Sequence, residues 1–311
     1  MVLAPIGRWR RPDQQSPDVD WTKHVYSTRS SSIYNPSATF EISVTDVEYL
    51  TVDRYTFLAR LYEPRGAGPF PALLDIHGGA WSGSDRLTNE TVDRALASTG
   101  LVVMSIDFRL APAHPYPAQV ADANYGVRWL KAHAFDFNVD NASLGVIGRS
   151  SGGHTALLHA LRPRDPRYQS LPLPNGQDTD SAADYFVALW PVIDSYGRYL
   201  IAKEVGNTRL VEAGDGYFLT ENAMREGNPQ DILERGEKVE LPPVQIIHGS
   251  ADTNVPLHLV ERFAENYTKA GGHIELEIFP DQPHTFAADP GPVTDDAIGR
   301  IKAFIAKQLS T

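Results

Sequence analysis

The sequence predicts an α/β fold in which a mostly parallel central sheet is flanked by helices. One observation is a series of short apolar runs rich in branched residues, which is typical of strands covered on both faces. These runs occupy residues 70–78, 100–110, 143–148, 185–192, 244–250 and 273–280. The other is helical spacing of residues between and after them, at 118–134, from 152 onward, at 257–270 and at 294–309. Strands and helices that alternate over this length indicate a mostly parallel sheet.

The remaining segments complete the predicted organisation. Two stretches that resemble half-buried strands, FEISVTDVEYLT at 40–51 and YTFLARLYEP at 55–64, predict a hairpin. Residues 1–38 are rich in Pro, Ser, Arg and Asp, which predicts an N-terminal arm or lid segment before an α/β domain over 39–311. Between about 193 and 241 the strand pattern gives way to Pro, Gly and charge. This change predicts a lid insertion with two or three short helices over one edge of the sheet.

Composition argues against several classes of function. The 311 residues carry a formal net charge of -11, so binding to nucleic acid or to anionic membranes is not expected. The sequence has no cysteine, which excludes disulfides, thiolate metal sites and a cysteine nucleophile. The first residues lack the pattern of a signal peptide, and no run of about 18 apolar residues predicts a membrane span. We therefore expect a cytoplasmic protein.

The stretch VIGRSSGGH at 146–154 ends a predicted strand and begins a predicted helix. Within it, residues 148–152 match G-x-S-x-G, the pattern of a nucleophile elbow with a serine at a sharp strand-to-helix turn. This spacing selects Ser150 as the nucleophile. The backbone N–H of Ser151 can donate to a developing oxyanion, so we expect Ser151→Ala to be mild. A phosphate cradle is the alternative for a Gly-rich turn, but no lysine or G-x-G-x-x-G follows.

The stretch DIHGGAW at 75–81 ends another predicted strand and supplies further candidates for an oxyanion hole. A glycine pair lets the backbone pass close to a bound carbonyl. The N–H groups of Gly79 and Ala80 are the candidates, and Gly78 allows the turn. His77 is assigned a structural role, because the catalytic base comes later in the chain in this topology.

Two loops nearer the C-terminus supply candidates for an acid and a base. Asp252 follows the predicted strand at 244–250, where a carboxylate can accept a hydrogen bond from a histidine. His284 follows the last predicted strand. Because parallel strands bring such loops to the same edge of a sheet, both side chains are expected close together. The order Ser, Asp, His is the one this topology requires.

Several stretches together resemble those of a known superfamily. HGGAW, DFRLAPAHPYPAQVADA at 107–123, GRSSGGH, HGSADTNVP and PHTF closely resemble the α/β-hydrolase superfamily. The nearest branches are the hormone-sensitive-lipase-like esterases and the related carboxylesterase and acylformamidase-type hydrolases, and the resemblance covers roughly residues 40–310. Arg149-Ser150-Ser151 differs from the Asp-Ser-Ala usual in the lipase-like branch, and HGSADTNVP is more similar to the peptidase-like and feruloyl-esterase-like branch. The resemblance therefore indicates fold and triad better than substrate.

The resemblance implies an α/β-hydrolase fold and a serine esterase that cleaves short-chain or aromatic esters through an acyl-enzyme. It implies a small-molecule ester substrate, no metal and no organic cofactor. An amide or formamide hydrolase, arylformamidase- or aminopeptidase-like, is the alternative, since the same triad cleaves C–N bonds when the leaving amine is protonated. An inactive receptor or scaffold is disfavoured because all three triad positions are filled. Many relatives form homodimers, and the sequence leaves the oligomeric state open.

Some further residues have a predicted supporting role. Trp81, Tyr196 and Phe218 are candidates for the substrate pocket, with plain packing as the alternative. Arg149, beside the nucleophile, needs an acidic partner, and Asp75 and Asp107 at neighbouring strand ends are the candidates.

Overall fold

The computed structural model describes residues 34–310, in which eight strands form one sheet. The strands are β1 (Ile42–Val52), β2 (Tyr55–Pro64), β3 (Phe70–Ile76), β4 (Val102–Ile106), β5 (Val139–Arg149), β6 (Tyr185–Leu189), β7 (Val244–Gly249) and β8 (Ile274–Phe279). Each stretch predicted as a strand overlaps one of them, which confirms the predicted fold class. Of the predicted arm at 1–38, residues 1–33 lie outside the described part of the chain.

Nine α-helices lie within residues 34–310. They are α1 (Glu90–Ala97), α2 (Ala118–Ala132), α3 (Ser151–Leu161), α4 (Ser195–Glu204), α5 (Thr208–Phe218), α6 (Glu221–Glu226), α7 (Pro229–Glu234), α8 (Leu257–Lys269) and α9 (Pro292–Gln308). The sequence did not predict α1, and the insertion carries four helices instead of two or three. In the described region, no helix is both long and apolar enough to cross a bilayer.

Polar side chains cap the first turns of three of the four helices in the insertion. Asp194, Asn207 and Thr220 each accept a hydrogen bond from a backbone N–H at the start of α4, α5 and α6. Asn and Thr are common in turns as well as at the first position of a helix, so their presence does not distinguish the two. This ambiguity explains why the sequence underestimates the number of helices.

The strand order is β1-β2-β4-β3-β5-β6-β7-β8. Strand β2 pairs antiparallel with β1 and β4, and all neighbours from β4 to β8 pair in parallel. The carboxyl ends of parallel strands meet at one edge of the sheet. The segments that follow β3, β5, β7 and β8 therefore come together there.

Apolar side chains cover the sheet on both faces. Every residue of β3 and β4 is buried. Successive side chains point to opposite faces, so Leu74 packs in one apolar cluster and Leu73 in the other. This double burial makes the centre of the sheet a rigid support for the loops at its carboxyl edge.

Candidate active site

Ser150 occupies the sharp turn between β5 and α3. Its backbone has φ 51° and ψ -118°, a conformation that is strained for a residue with a side chain. A Cβ at Gly148 would lie 2.5 Å from the carbonyl oxygen of Gly152, and one at Gly152 would lie 2.3 Å from that of His77. Gly148 thus lies too close to the other arm of the turn, and Gly152 too close to the end of β3, for any residue with a side chain.

Ser150, His284 and Asp252 lie in one hydrogen-bonded row. The Ser150 Oγ is 2.9 Å from His284 Nε2, and His284 Nδ1 is 2.7 Å from Asp252 Oδ2. A carboxylate only accepts, so Nδ1 carries the proton and Nε2 is free to accept from the serine hydroxyl. The structure brings together the three side chains that the sequence predicted as nucleophile, base and acid.

Main-chain hydrogen bonds hold the loops of the acid and the histidine together. The N–H of Ala251 donates to the carbonyl of Gln282 at 3.0 Å. Asp252 Oδ1 accepts from the N–H groups of Asn254 and Val255, at 2.8 Å each. The carboxylate is thereby oriented from one side by its own loop and presents its other oxygen to His284.

The environment of Asp252 keeps its carboxyl ionised. Burial alone would raise its pKa, but the hydrogen bond and charge of His284 and the N–H of Val255 outweigh burial, and the pKa lies below the ordinary value. His248 Nε2 lies 3.6 Å from Asp252 Oδ2 but donates to the carbonyl of Val255 at 3.0 Å. Burial lowers the pKa of His248, so this histidine packs beside the row in its neutral form. The sequence did not single it out.

The loop after β3, residues 78–83, places backbone N–H groups beside Ser150. Gly79, Ala80 and Trp81 all have positive φ, at 105°, 53° and 61°. A Cβ at Gly79 would lie 2.3 Å from the carbonyl oxygen of Gly83. Within residues 34–310, the N–H groups of Gly79, Ala80 and Ser151 have no hydrogen-bond acceptor. The three N–H groups predicted for the oxyanion hole are thus free to donate.

The side chain of Ser151 also has a partner, which the sequence did not predict. Its Oγ accepts from the backbone N–H of Trp81 at 3.1 Å. The carbonyl of Trp81 accepts in turn from Gln119 Nε2 at 2.6 Å and from the N–H of Ala111 at 2.9 Å. These bonds fix the strained loop in place.

Supporting contacts agree with two further expectations. Arg149 forms a buried ion pair with Asp75, one of its two candidate partners, and lies 3.7 Å from Asp93. The other candidate, Asp107, pairs with Arg86 at 2.9 Å. His77 contributes to the fold: its ring stacks on Phe108 at 4.1 Å, and its Nδ1 is 2.8 Å from the carbonyl of Gly78.

A cavity of about 590 Å³ opens beside Ser150 and His284. The structure does not bring the predicted pocket residues Trp81, Tyr196 and Phe218 to its wall. Trp81 and Phe218 are each only 2% exposed and pack on one another, and the Tyr196 hydroxyl donates to Glu221 at 2.5 Å. This placement corrects the predicted pocket. Trp81 and Phe218 pack in the interior and Tyr196 pairs with Glu221, whereas aliphatic side chains such as those of Leu210 and Ala213 line the cavity.

Comparison with known proteins identifies the family. The BD-FAE family model matches residues 60–267. The chain belongs to the BD-FAE family. Carboxylesterase NlhH of Mycobacterium tuberculosis is 38% identical over 243 residues, which cover 77% of this chain and 74% of NlhH. Esterase LipC of the same organism is 30% identical over 250 residues, which cover 76% of this chain and 58% of LipC. The chain therefore spans less than two thirds of the length of LipC.

Solved structures share the fold. The hyperthermophilic esterase of the archaeon Pyrobaculum calidifontis superposes with a TM-score of 0.71 at 24% identity, over 85% of each chain. EstE1, a carboxylesterase from a metagenomic library, superposes with a TM-score of 0.71 at 22% identity, over 88% of this chain and 91% of EstE1. This BD-FAE family chain has an α/β-hydrolase fold.

Proposed function

We propose that the protein is a carboxylic ester hydrolase that forms an acyl-enzyme on Ser150. The observation that carries the proposal is the hydrogen-bonded row of Ser150, His284 and Asp252 at the wall of a cavity. Its relatives NlhH, a carboxylesterase, and LipC, an esterase, support an ester as the substrate.

The row performs the two halves of the reaction with one histidine. As Ser150 Oγ attacks the ester carbonyl carbon, its proton passes to His284 Nε2 and the carbonyl electron pair moves onto oxygen. When the tetrahedral intermediate collapses, the bond to the alcohol breaks and His284 returns the proton to the leaving oxygen. Water then attacks the acyl-enzyme by the same route and releases the acid. Asp252 holds the useful tautomer and stabilises the charged imidazole.

Three N–H groups stabilise the oxyanion that forms in both halves. Those of Gly79, Ala80 and Ser151 are the donors, and each contributes about 3 kcal/mol to transition-state stability. The donors are part of the backbone of a fixed loop and a helix start, so they need no reorientation when the charge develops. This arrangement favours the transition state over the bound ester.

We further propose that the insertion at 193–241 acts as a lid over the cavity. Its helix α5 contributes Leu210, Ala213 and Gly216 to the wall. A volume of about 590 Å³ lies within the usual range of small-molecule sites. Short-chain or aromatic acyl groups fit such a space.

Replacement of the nucleophile tests the proposed function. We expect Ser150→Ala to lower kcat/KM for p-nitrophenyl butyrate by at least about a thousandfold, because the attacking oxygen is lost. A fluorophosphonate probe should label the unsubstituted protein and fail to label the variant. Ser43→Ala, in strand β1, is the matched control. Aryl formamides in the same panel report on amide cleavage. A variant that keeps most of its esterase activity would contradict the assignment of Ser150.

A further inference from the structure

Arg198, in helix α4, is a buried cation in the wall of the cavity. The residue is 3% exposed and lines the cavity together with Ser150 and His284. Within the described part of the chain it forms no ion pair. Its Nη1 donates one long hydrogen bond, of 3.3 Å, to Asn254 Oδ1, and its guanidinium lies over the Trp81 ring, 5.2 Å from the centre. Since a guanidinium has five N–H donors, these contacts leave most of its bonding capacity unused.

Two buried carboxylates near Arg198, those of Asp194 and Asp252, already have partners. Asp194, one turn earlier, accepts from the N–H of Gly197 at 2.8 Å and from Asn228 at 2.9 Å, and it forms an ion pair with Arg262. Asp252 is held by His284 and by its own loop. A buried charge without a counter-ion is costly, and the charge of Asp252 offsets only part of the effect of burial on Arg198.

A second cation faces the same cavity. Arg209, in helix α5, lines the cavity and is exposed, and no residue among 34–310 forms an ion pair with it. Burial, with a smaller effect from the charge of Arg209, lowers the pKa of Arg198 to about 10, so Arg198 stays protonated at neutral pH. Glu212 is the one carboxylate among the lining residues, and it pairs with neither arginine. The positive charge of this wall is therefore available to a ligand.

We propose that Arg198, with Arg209, binds a carboxylate carried by the ester substrate. This inference rests on the proposed esterase function and narrows its substrate class to esters with a free carboxylate away from the scissile bond. A planar guanidinium matches a carboxylate with two parallel hydrogen bonds. Asn254 and Trp81 hold the Arg198 plane, and Arg209 adds attraction from the exposed side of the cavity.

Matched pairs of esters test the proposal. Monomethyl adipate against dimethyl adipate places the carboxylate on the acyl side, and 4-acetoxybenzoate against its methyl ester places it on the alcohol side. The readout is the ratio of kcat/KM for the anionic ester to that for the neutral ester, in which any common loss of activity cancels. We expect this ratio to fall at least about tenfold in Arg198→Gln and about threefold in Arg209→Gln, for one pair or both.

Arg54→Gln, in the exposed turn between β1 and β2, is the matched control and should keep the ratio. The proposal would be overturned if, for both pairs, the ratio in Arg198→Gln stays within about twofold of the ratio in the unsubstituted protein. The same result is expected if a carboxylate of the chain itself, and not of the substrate, binds Arg198. If Arg198→Gln fails to fold, the same ratio is measured in Arg209→Gln, at an exposed position. A ratio that stays within about twofold of that of the unsubstituted protein would then overturn the proposal.

Binding separates this inference from the proposed function. Calorimetry on Ser150→Ala protein should find that monomethyl adipate or 4-acetoxybenzoate binds more tightly than its neutral partner, and that Arg198→Gln removes the difference. If such binding occurs but the unsubstituted protein hydrolyses no ester, the carboxylate site is supported and the proposed esterase function is wrong. If neutral esters are hydrolysed and the ratio of kcat/KM values is unchanged in Arg198→Gln, the esterase function is supported and the carboxylate site is wrong. Equal binding of both members of both pairs would also reject it.

Discussion

The hydroxyl groups of Ser150 and Ser151 are neighbours in the chain and have different partners. That of Ser150 lies 2.9 Å from His284 Nε2, whereas that of Ser151 accepts from the N–H of Trp81 at 3.1 Å. The elbow turns between the two residues, so one oxygen faces the cavity and the other faces the loop after β3. In the proposed mechanism the Ser150 hydroxyl transfers its proton, whereas the Ser151 hydroxyl only holds the loop after β3.

This second hydroxyl gives a prediction at the residue scale. Ser151→Ala leaves the backbone N–H in place, which from sequence alone predicts a mild effect. Because the structure also shows an anchored Trp81 N–H, we expect kcat/KM to fall about three- to tenfold and the free energy of unfolding to fall by about 1 kcal/mol. Steady-state kinetics and urea unfolding measure the two. A loss as large as that of Ser150→Ala would mean that the nucleophile is assigned to the wrong serine.

At the scale of elements, the junction of β5 and α3 determines the geometry of the site. A methyl group at Gly152 would meet the carbonyl oxygens of Ile76 and His77 at 2.3 Å. We expect Gly152→Ala to lower the free energy of unfolding by about 1–3 kcal/mol and to lower kcat, because the backbone must move to make room.

Gly299→Ala, in helix α9, is the matched control, since a Cβ at this position would meet nothing within 4 Å. It should stabilise by about 0.5–1 kcal/mol. Equal unfolding midpoints for both variants would contradict this account.

The elements also explain which features could be predicted from sequence. The eight strands carry continuous or alternating apolar patterns, and the triad residues follow strand ends in a recognisable order. Helix α1 was missed because it has only eight residues and follows a polar loop. The role of Arg198 was missed for another reason. Its position in the cavity depends on how α4 and α5 pack against one another and against α6, which no local pattern records.

At the scale of the whole molecule, His154 joins three parts of the fold. It lies in α3, its Nδ1 accepts from Trp81 Nε1 at 3.3 Å, and its Nε2 donates to the carbonyl of Gly227 at 2.8 Å. An indole N–H only donates and a carbonyl only accepts, so this histidine is neutral with its proton on Nε2. The elbow helix, the loop after β3 and the insertion are thus linked through one uncharged ring.

This link predicts a pH-dependent stability. Burial lowers the pKa of His154 to about 3, so below pH 6.5 the unfolded chain takes up a proton here that the folded protein does not. The free energy of unfolding should then fall by up to about 1.4 kcal/mol per pH unit, or about 2 kcal/mol between pH 7 and pH 5. His154→Gln keeps an acceptor and a donor but cannot titrate. Buried carboxylates with raised pKa, such as Asp93, have the opposite slope and cancel between the two proteins. Urea unfolding at pH 7 and pH 5 should therefore give a larger loss in the unsubstituted protein, and equal losses would show that His154 is protonated in the fold.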